Sequence, residues 1–136
     1  MNNVETVKNI YDAFGRGDVA AILEKLSPDV RWEVWKDNRA QKAGVPWMQS
    51  RSGREGAAEF FKTLATHLEF KNIEVPCIME GSNKVVAEFV VEAVVRTSGA
   101  RVGDEELHLW TFGEDGKVSH FRHYTDTAKH IEAAGL

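Results

Sequence analysis

The chain of 136 residues has little of several features that would narrow its function. Its single cysteine, Cys77, excludes an internal disulfide and fits a reducing compartment, the cytoplasm. Because Cys77 lies beside Pro76 in an apolar run, we expect a buried, inert thiol. The longest apolar run is divided by Glu88 and Glu92, and no cationic N-terminal segment precedes an apolar one. Neither secretion nor membrane insertion is therefore expected.

An excess of charge of one sign is also missing. The formal net charge is −4, and lysine and arginine are interspersed with acidic residues. This distribution is not the basic surface of a nucleic-acid-binding protein, so no nucleic acid is expected as a partner. Hydrophobic residues make up 43% and charged residues 28% of the chain, which is typical of a globular protein. At this length we expect a single domain over residues 1–136.

Spacings that would indicate a metal or a nucleotide cofactor are lacking as well. His120 and His123 lie three apart on a predicted strand, so their side chains should point to opposite faces. His67 and His130 belong to predicted helices elsewhere. A Gly-x-Gly segment follows a helix rather than a strand and lacks the remaining glycine of a dinucleotide-binding fingerprint. We therefore expect no metal and no cofactor.

The first half of the chain has the apolar periodicity of helices. Apolar residues recur at helical spacing from Val4 to Phe14, which predicts a first helix that ends near Gly15. Asp18 is placed to cap a second, short helix. A third helix is predicted to begin near Arg54, after a long polar loop over residues 36–53.

The strands are predicted mainly in the second half. Residues 30–35, VRWEVW, alternate and form a first strand, and residues 70–126 form four strands joined by turn-rich segments. Asp126 should cap a short terminal helix. Helices followed by an antiparallel meander predict an α+β fold. The strand over residues 84–98 is apolar on both faces, so we expect helices to cover one face and a second copy, in a homodimer, to cover the other.

Four segments in this order carry a resemblance to a known family: YDAFGRGD, SPDVRWEV, SGREGAAEFF and HLWTFGEDGKVSHFRHYTD. Together they resemble the SnoaL-like and ketosteroid-isomerase-like branch of the NTF2-like superfamily. The resemblance implies a cone in which three N-terminal helices pack on a strongly curved antiparallel sheet. It also implies an apolar pocket inside the cone and, in many members, a dimer. Members include isomerases, cyclases, hydrolases and proteins without catalysis, so the fold does not give the reaction.

The functional carboxylates of the resembling enzymes are not found at the corresponding positions. The general base of the steroid isomerases corresponds to Val34, and the adjacent Glu33 should point to the opposite face of the strand. The tyrosine and protonated aspartate of their oxyanion hole correspond to Ile10 and His108. The catalytic aspartate of the SnoaL-type cyclases corresponds to Arg122. Neither family mechanism is therefore expected to operate unchanged.

A different set of residues is predicted to form the site if the resemblance sets the hairpin register. His108, Trp110 and Phe112 would then share the inner sheet face with His120, Arg122 and Tyr124, while Leu109, Thr111, Phe121 and His123 would face away. His108 is the candidate acid or base, and Arg122 and Tyr124 are candidates to hold a ligand oxygen. The remaining candidates for the pocket wall are Tyr11, Phe14, Trp32, Val34, Trp110, Phe112 and His120.

Two interpretations of the partner of Arg122 and three of the function of the protein remain open. Arg122 would pair either with a pocket carboxylate, Glu88 or Glu92, or with a carboxylate or enolate oxygen of a ligand. The first functional hypothesis is a cofactor-independent isomerase, cyclase or hydrolase acting by proton transfer on a small apolar carbonyl or carboxylate compound. The alternative is a non-catalytic module for small-molecule binding or dimerisation. A third is a protein-interaction subunit that uses the open sheet face.

Overall fold

The computed structural model describes residues 2–136 as an α+β fold. Its five helices are α1 (Asn3–Gly15), α2 (Val19–Leu23), α3 (Arg39–Ala43), α4 (Gly53–His67) and α5 (Thr127–Ala133), with a 3-10 turn at Pro46–Met48. Its seven strands are β1 (Leu26–Trp32), β2 (Arg51–Ser52), β3 (Leu68–Glu74), β4 (Ile78–Gly81), β5 (Lys84–Val95), β6 (Arg101–Phe112) and β7 (Val118–Tyr124).

The strands form one curved, unclosed sheet that makes the wall of the predicted cone. Their order is β2, β1, β7, β6, β5 and β3, and β4 pairs with the first half of β5. All pairs are antiparallel except β1 with β7, which run parallel. The sheet is therefore mixed rather than wholly antiparallel, because the first strand of the chain joins the sheet beside its last strand.

The helices cover the inner face of this sheet, as their apolar stripes predict. Asn2 and Asp18 cap α1 and α2 by accepting hydrogen bonds from the backbone nitrogens of Glu5 and Ala21, at 2.8 and 3.1 Å. The buried faces of α1 and α4 contribute the apolar residues Val7, Ile10, Ala57, Phe60, Phe61 and Leu64 to the core. The helices thus seal one face of the sheet, whereas within residues 2–136 no helix covers the other face, where Leu107 is exposed.

Three local expectations are wrong. The segment over residues 36–53 is not an open loop, since it contains α3, the 3-10 turn and β2, and it buries Trp47 and Met48. The first strand runs over Leu26–Trp32 instead of residues 30–35, and it ends where Glu33 adopts a left-handed φ of 57°. Cys77 is exposed, because it lies in the irregular connection between β3 and β4 at the edge of the sheet.

Candidate active site

A β-bulge in the last hairpin decides which side chains enter the interior. Next to the turn, Phe112 pairs with Val118, which would place even-numbered residues of both strands on one face. The register then shifts by one residue at Ser119, and Thr111 pairs with His120. An extra residue in one strand turns all later side chains to the other face. From there on, the odd-numbered residues of β7 face inward.

The shift overturns part of the predicted site. His108 pairs with His123, and Trp110 pairs with Phe121, so these four side chains share the inner face. The prediction that Phe121 and His123 face away is wrong. The prediction that His120, Arg122 and Tyr124 share the face of His108 is also wrong, because the bulge lies between them and the turn. Leu109 and Thr111 face outward, as predicted.

A cavity lies between the inner sheet face and the helices. It encloses about 680 Å³, including its opening to solvent, and is lined by ten aromatic and six aliphatic side chains. The predicted wall residues Tyr11, Phe14, Trp32 and Trp110 all line it. The cavity has one polar end, formed by Glu106, His108, His123 and His130. An apolar cavity with a few convergent polar groups is the usual form of a small-molecule site.

One hydrogen-bond chain crosses the cavity wall from α1 to β6. The Trp110 indole N–H donates to the Tyr11 hydroxyl oxygen at 3.1 Å, and the Tyr11 oxygen lies 2.6 Å from His108 Nδ1. An indole nitrogen can only donate, so the Tyr11 proton is directed to His108 Nδ1. His108 then carries its own proton on Nε2, which lies 3.2 Å from Glu106 Oε1. The contacts assign a neutral His108 that donates to Glu106.

Burial reinforces these protonation states. It lowers the pKa of the His108 imidazole, against the raising effect of the Glu106 carboxylate. Burial raises the pKa of the Tyr11 hydroxyl far above its ordinary value, although the hydrogen bond from Trp110 opposes this. Both groups are therefore uncharged at neutral pH.

A second chain reaches the same carboxylate from the segment that was expected to be a loop. The Trp47 indole N–H donates to His130 Nδ1 at 3.0 Å. His130 Nε2 therefore bears the proton, and it lies 3.0 Å from both Glu106 Oε2 and Asp104 Oδ2. Burial would raise the pKa of the Glu106 carboxyl, but hydrogen bonds from His108 and His130 hold it well below its usual range. Burial and the neighbouring Glu106 raise the pKa of Asp104.

The third element is a buried ion pair between the end of β1 and β7. The left-handed φ of Glu33 interrupts the strand alternation and turns its fully buried carboxylate toward β7. There Oε1 accepts the His123 backbone N–H at 2.6 Å, and Oε2 lies 2.9 Å from His123 Nδ1. Burial alone would lower the pKa of His123, but the Glu33 carboxylate outweighs it and raises the pKa to about 9. The expectation that Glu33 points away from the interior is wrong.

The predicted residues outside the cavity have other partners. Arg122 donates to the Val34 backbone carbonyl and lies over the Trp35 ring, 4.6 Å from its centroid. This arrangement replaces both expected partners of Arg122, a pocket glutamate and a ligand. Tyr124 is exposed and packs against Trp35 with ring centroids 4.7 Å apart. Burial, and then the charge of Arg122, lowers the pKa of His120 on this outer face.

Two predicted wall residues also miss the cavity for local reasons. Phe112 faces inward and is buried, but it packs in the core beside the hairpin turn. Val34 follows the left-handed Glu33, beyond the end of β1, and its carbonyl oxygen serves Arg122. The sheet interior, not the turn end of the hairpin, therefore defines the site.

The cluster of Asp104, Glu106 and His130 has the ligand types of a cation site, with ligand atoms within 4.8 Å of one another. The donor set does not fit a metal, however, because Trp47 occupies His130 Nδ1 and the proton lies on Nε2. A metal on Nε2 would force a proton onto Nδ1, opposite the indole N–H. The contacts favour a hydrogen-bonded network at this position.

Comparison with known proteins agrees with the architecture. A family model for the SnoaL-like domain matches residues 7–121. The chain belongs to the SnoaL-like family. No curated protein matches the sequence.

Solved structures similar to this SnoaL-like chain share its fold. An NTF2-like protein of unknown function from Burkholderia pseudomallei aligns with a TM-score of 0.84 and 24% identity, over 100% of this chain and 99% of that one. TerC, co-crystallised with polyporic acid, aligns with a TM-score of 0.79 and 24% identity, over 98% of both chains. A SnoaL-like, polyketide cyclase-like protein from Mesorhizobium loti aligns with a TM-score of 0.70 and 20% identity, over 91% and 99%.

The structure of this SnoaL-like chain adds four polar site residues that sequence reasoning missed: Glu33, Asp104, Glu106 and His130. The signal for two of them was present, since Asp104 and Glu106 continue the period-two pattern of His108 and Trp110 along one strand. Within residues 2–136, no helix has the length and apolar character that a membrane crossing requires.

Proposed function

We propose that this SnoaL-like protein is a cofactor-independent enzyme that transfers protons on a small, largely apolar compound with a carbonyl oxygen. The observation that carries the proposal is the presence of two different proton systems in one aromatic cavity. His123, paired with Glu33, is a cation that can donate a proton, and His108, linked to Tyr11 and Glu106, is a neutral base. The two imidazole rings are 5.7 Å apart. Groups with such opposed pKa shifts suit acid and base roles.

The proposed step is enolisation of the bound carbonyl compound. Within residues 2–136, the Glu33 carboxylate pairs with His123 Nδ1, and no protein group forms a hydrogen bond with His123 Nε2. His123 Nε2 is therefore the proton donor to the carbonyl oxygen. A proton leaves the adjacent carbon for the Tyr11 oxygen while the Tyr11 proton passes to His108 Nδ1. The electron pair of the broken C–H bond becomes the C=C bond of the enol. Glu106 stabilises the imidazolium that forms on His108.

The shape of the cavity supports an apolar ligand, since its wall is aromatic and aliphatic apart from the polar end. TerC, which shares the fold, was crystallised with the small molecule polyporic acid. A carbonyl compound is favoured over a carboxylate as the ligand, because Arg122, the predicted partner of a ligand carboxylate, lies outside the cavity. Trp32 adds an indole N–H that is buried in the cavity wall and has no partner within residues 2–136. Such a donor suits a ligand oxygen.

A non-catalytic binding module is the second candidate, and one observation favours it. Both oxygens of Glu106 and both ring nitrogens of His108 already have protein partners. The base is therefore reached only through the Tyr11 hydroxyl. A protein of this kind would hold the same ligands without turnover.

The test uses 2-tetralone, an apolar aromatic ketone, in deuterium oxide at neutral pH. We expect the protein to accelerate exchange of the protons beside the carbonyl above the buffer rate, measured by proton NMR. The variant His123→Gln should lose at least about tenfold of the protein-dependent rate, because it removes the general acid. The matched control, His120→Gln on the outer face of the same strand, should keep the rate.

Three results would contradict parts of this proposal. Exchange at the buffer rate with 2-tetralone bound, shown by tryptophan fluorescence, would leave only the binding module. Equal loss in His120→Gln and His123→Gln would contradict the assignment of His123. Failure of 2-tetralone to bind at all would contradict an apolar small-molecule pocket.

We also propose that the uncovered sheet face joins two copies in the cytoplasm as a homodimer. This face carries Leu107, with 46% of its surface exposed, beside Leu109. Basic side chains, Arg31 and Lys84 among them, lie toward one end of it, and the acidic residues Glu88 and Glu92 lie elsewhere on it. A two-fold arrangement can bring opposite charges together. Sedimentation should give twice 15.2 kDa, and a monomer at micromolar concentration would contradict the dimer.

A further inference from the structure

The positive and negative charges at the polar end of the cavity do not cancel. Among residues 2–136, no lysine or arginine lines the cavity, and the one cation, His123, is neutralised by Glu33. Glu106 is only 6% exposed and lines the cavity, and Asp104 lies directly behind it. The two histidines that contact Glu106 are both held neutral by donors on their other nitrogen. The cavity therefore has an uncompensated negative charge.

The contacts of Glu106 show that its charge is fixed and still accessible. Both oxygens accept an imidazole N–H, one from His108 and one from His130. A carboxyl group that accepts on both oxygens from such donors is an ionised carboxylate. Each carboxylate oxygen can accept a second hydrogen bond, so a ligand donor can bind without displacing either histidine.

We propose that Glu106 sets the charge of the ligand, so that the cavity takes neutral or cationic apolar molecules, a protonated amine included, and rejects carboxylates. This inference rests on the proposed small-molecule pocket and names the class of compound that enters it. A buried carboxylate repels an anion strongly, because little water screens the two charges. The same charge, together with the faces of the surrounding aromatic rings, attracts an organic ammonium group.

Three naphthalene derivatives of nearly equal size test the inference at neutral pH: 2-naphthylmethanol, 2-naphthylmethylammonium and 2-naphthoate. Dissociation constants follow from the fluorescence of Trp32, Trp47 and Trp110, which line the cavity. We expect the alcohol and the ammonium ion to bind, and the carboxylate to bind about 100-fold or more weakly than the ammonium ion. This comparison requires only the wild-type protein.

Two variants on neighbouring positions of β6 assign the effect to one residue. Glu106→Gln removes the cavity charge. It should reduce the gap, which is the ratio of the dissociation constants of the carboxylate and the ammonium ion, by at least about tenfold. Glu105→Gln removes the same charge from the exposed outer face and should leave the gap unchanged. Circular dichroism confirms that each variant is folded before binding is measured.

The outcomes separate this inference from the proposed function. If the alcohol binds but the carboxylate binds as tightly as the ammonium ion, the charge inference is overturned and the pocket stands. A gap that is unchanged in a folded Glu106→Gln also overturns it. Binding of none of the three compounds overturns both proposals. If Glu106→Gln does not fold, the wild-type protein alone tests the inference. A ratio below about tenfold between its dissociation constants for the carboxylate and the ammonium ion contradicts the inference.

Discussion

The two faces of the β6–β7 hairpin contain the same residue types in opposite physical states. On the inner face Glu106 and His123 are buried, Glu106 accepting from His108 and His130 and His123 pairing with Glu33. Glu105 and His120 on the outer face are more accessible. The pKa of His123 is raised to about 9 by Glu33, after burial is overcome. The pKa of His120 is lowered by burial and by Arg122. Residue type alone therefore does not identify the reactive face, and the partners of each side chain do.

The largest expected difference between the faces is in the cost of losing a carboxylate. Glu33→Ala removes the carboxylate that holds the His123 cation and leaves the buried His123 backbone N–H without its acceptor, and should lower the free energy of unfolding by about 3–5 kcal/mol. Glu105→Ala removes an exposed glutamate and should change it by less than about 0.5 kcal/mol. Urea unfolding at pH 7 measures both. Similar values for the two variants would remove the energetic distinction between the faces.

This comparison also shows how far the sequence predicts the molecule. The cone fold, the N-terminal helices and the cap at Asp18 follow from periodicity, local chemistry and a family resemblance, because these signals act over a few neighbouring residues. The aromatic wall at Tyr11, Phe14 and Trp32 was also predicted, since apolar side chains must face the helices.

The polar end of the cavity could not be predicted in the same way. Its composition depends on one extra residue, Ser119, which reverses the face of every later β7 side chain. Val118 and Phe121 are both apolar at an odd spacing, and this break in alternation is the local sign of the bulge. The inward turn of Glu33 depends on a left-handed backbone conformation, which a non-glycine residue seldom adopts. His130 reaches the site only through the packing of α5 on β6.

A slightly smaller loss of unfolding free energy than in Glu33→Ala should appear when a rise in pH removes the charge of His123. Its pKa is about 9 in the folded protein and 6.5 in the ordinary state, so the folded state holds the proton more tightly. The stabilisation is complete below pH 6.5 and is lost as pH rises through 9, a total of about 3 kcal/mol. Unfolding free energies measured from pH 6 to pH 10 should show this fall.

The variant His123→Gln is the control for the pH effect, and its stability should be nearly constant over the same window. The lowered pKa values of His108 and His120 affect stability below their ordinary values, outside this window. A wild-type profile that is flat between pH 6.5 and 9 would show that the Glu33–His123 pair is not charged as described.

The smallest expected difference is between the two tyrosines of the chain. Tyr11→Phe deletes the hydroxyl that accepts from Trp110 and donates to His108, and leaves both partners buried without it. We expect a loss of about 1–3 kcal/mol in unfolding free energy, together with a slower 2-tetralone exchange, since the route to His108 is broken. Tyr124→Phe keeps the ring that packs on Trp35. It should change the free energy of unfolding by less than about 0.5 kcal/mol and leave the exchange rate unchanged.

If Tyr11→Phe slows exchange while NMR shows that His108 keeps its low pKa, the Tyr11 hydroxyl itself carries the proton. If both tyrosine variants exchange 2-tetralone at the wild-type rate, the base is reached by another route and the inner chain is structural.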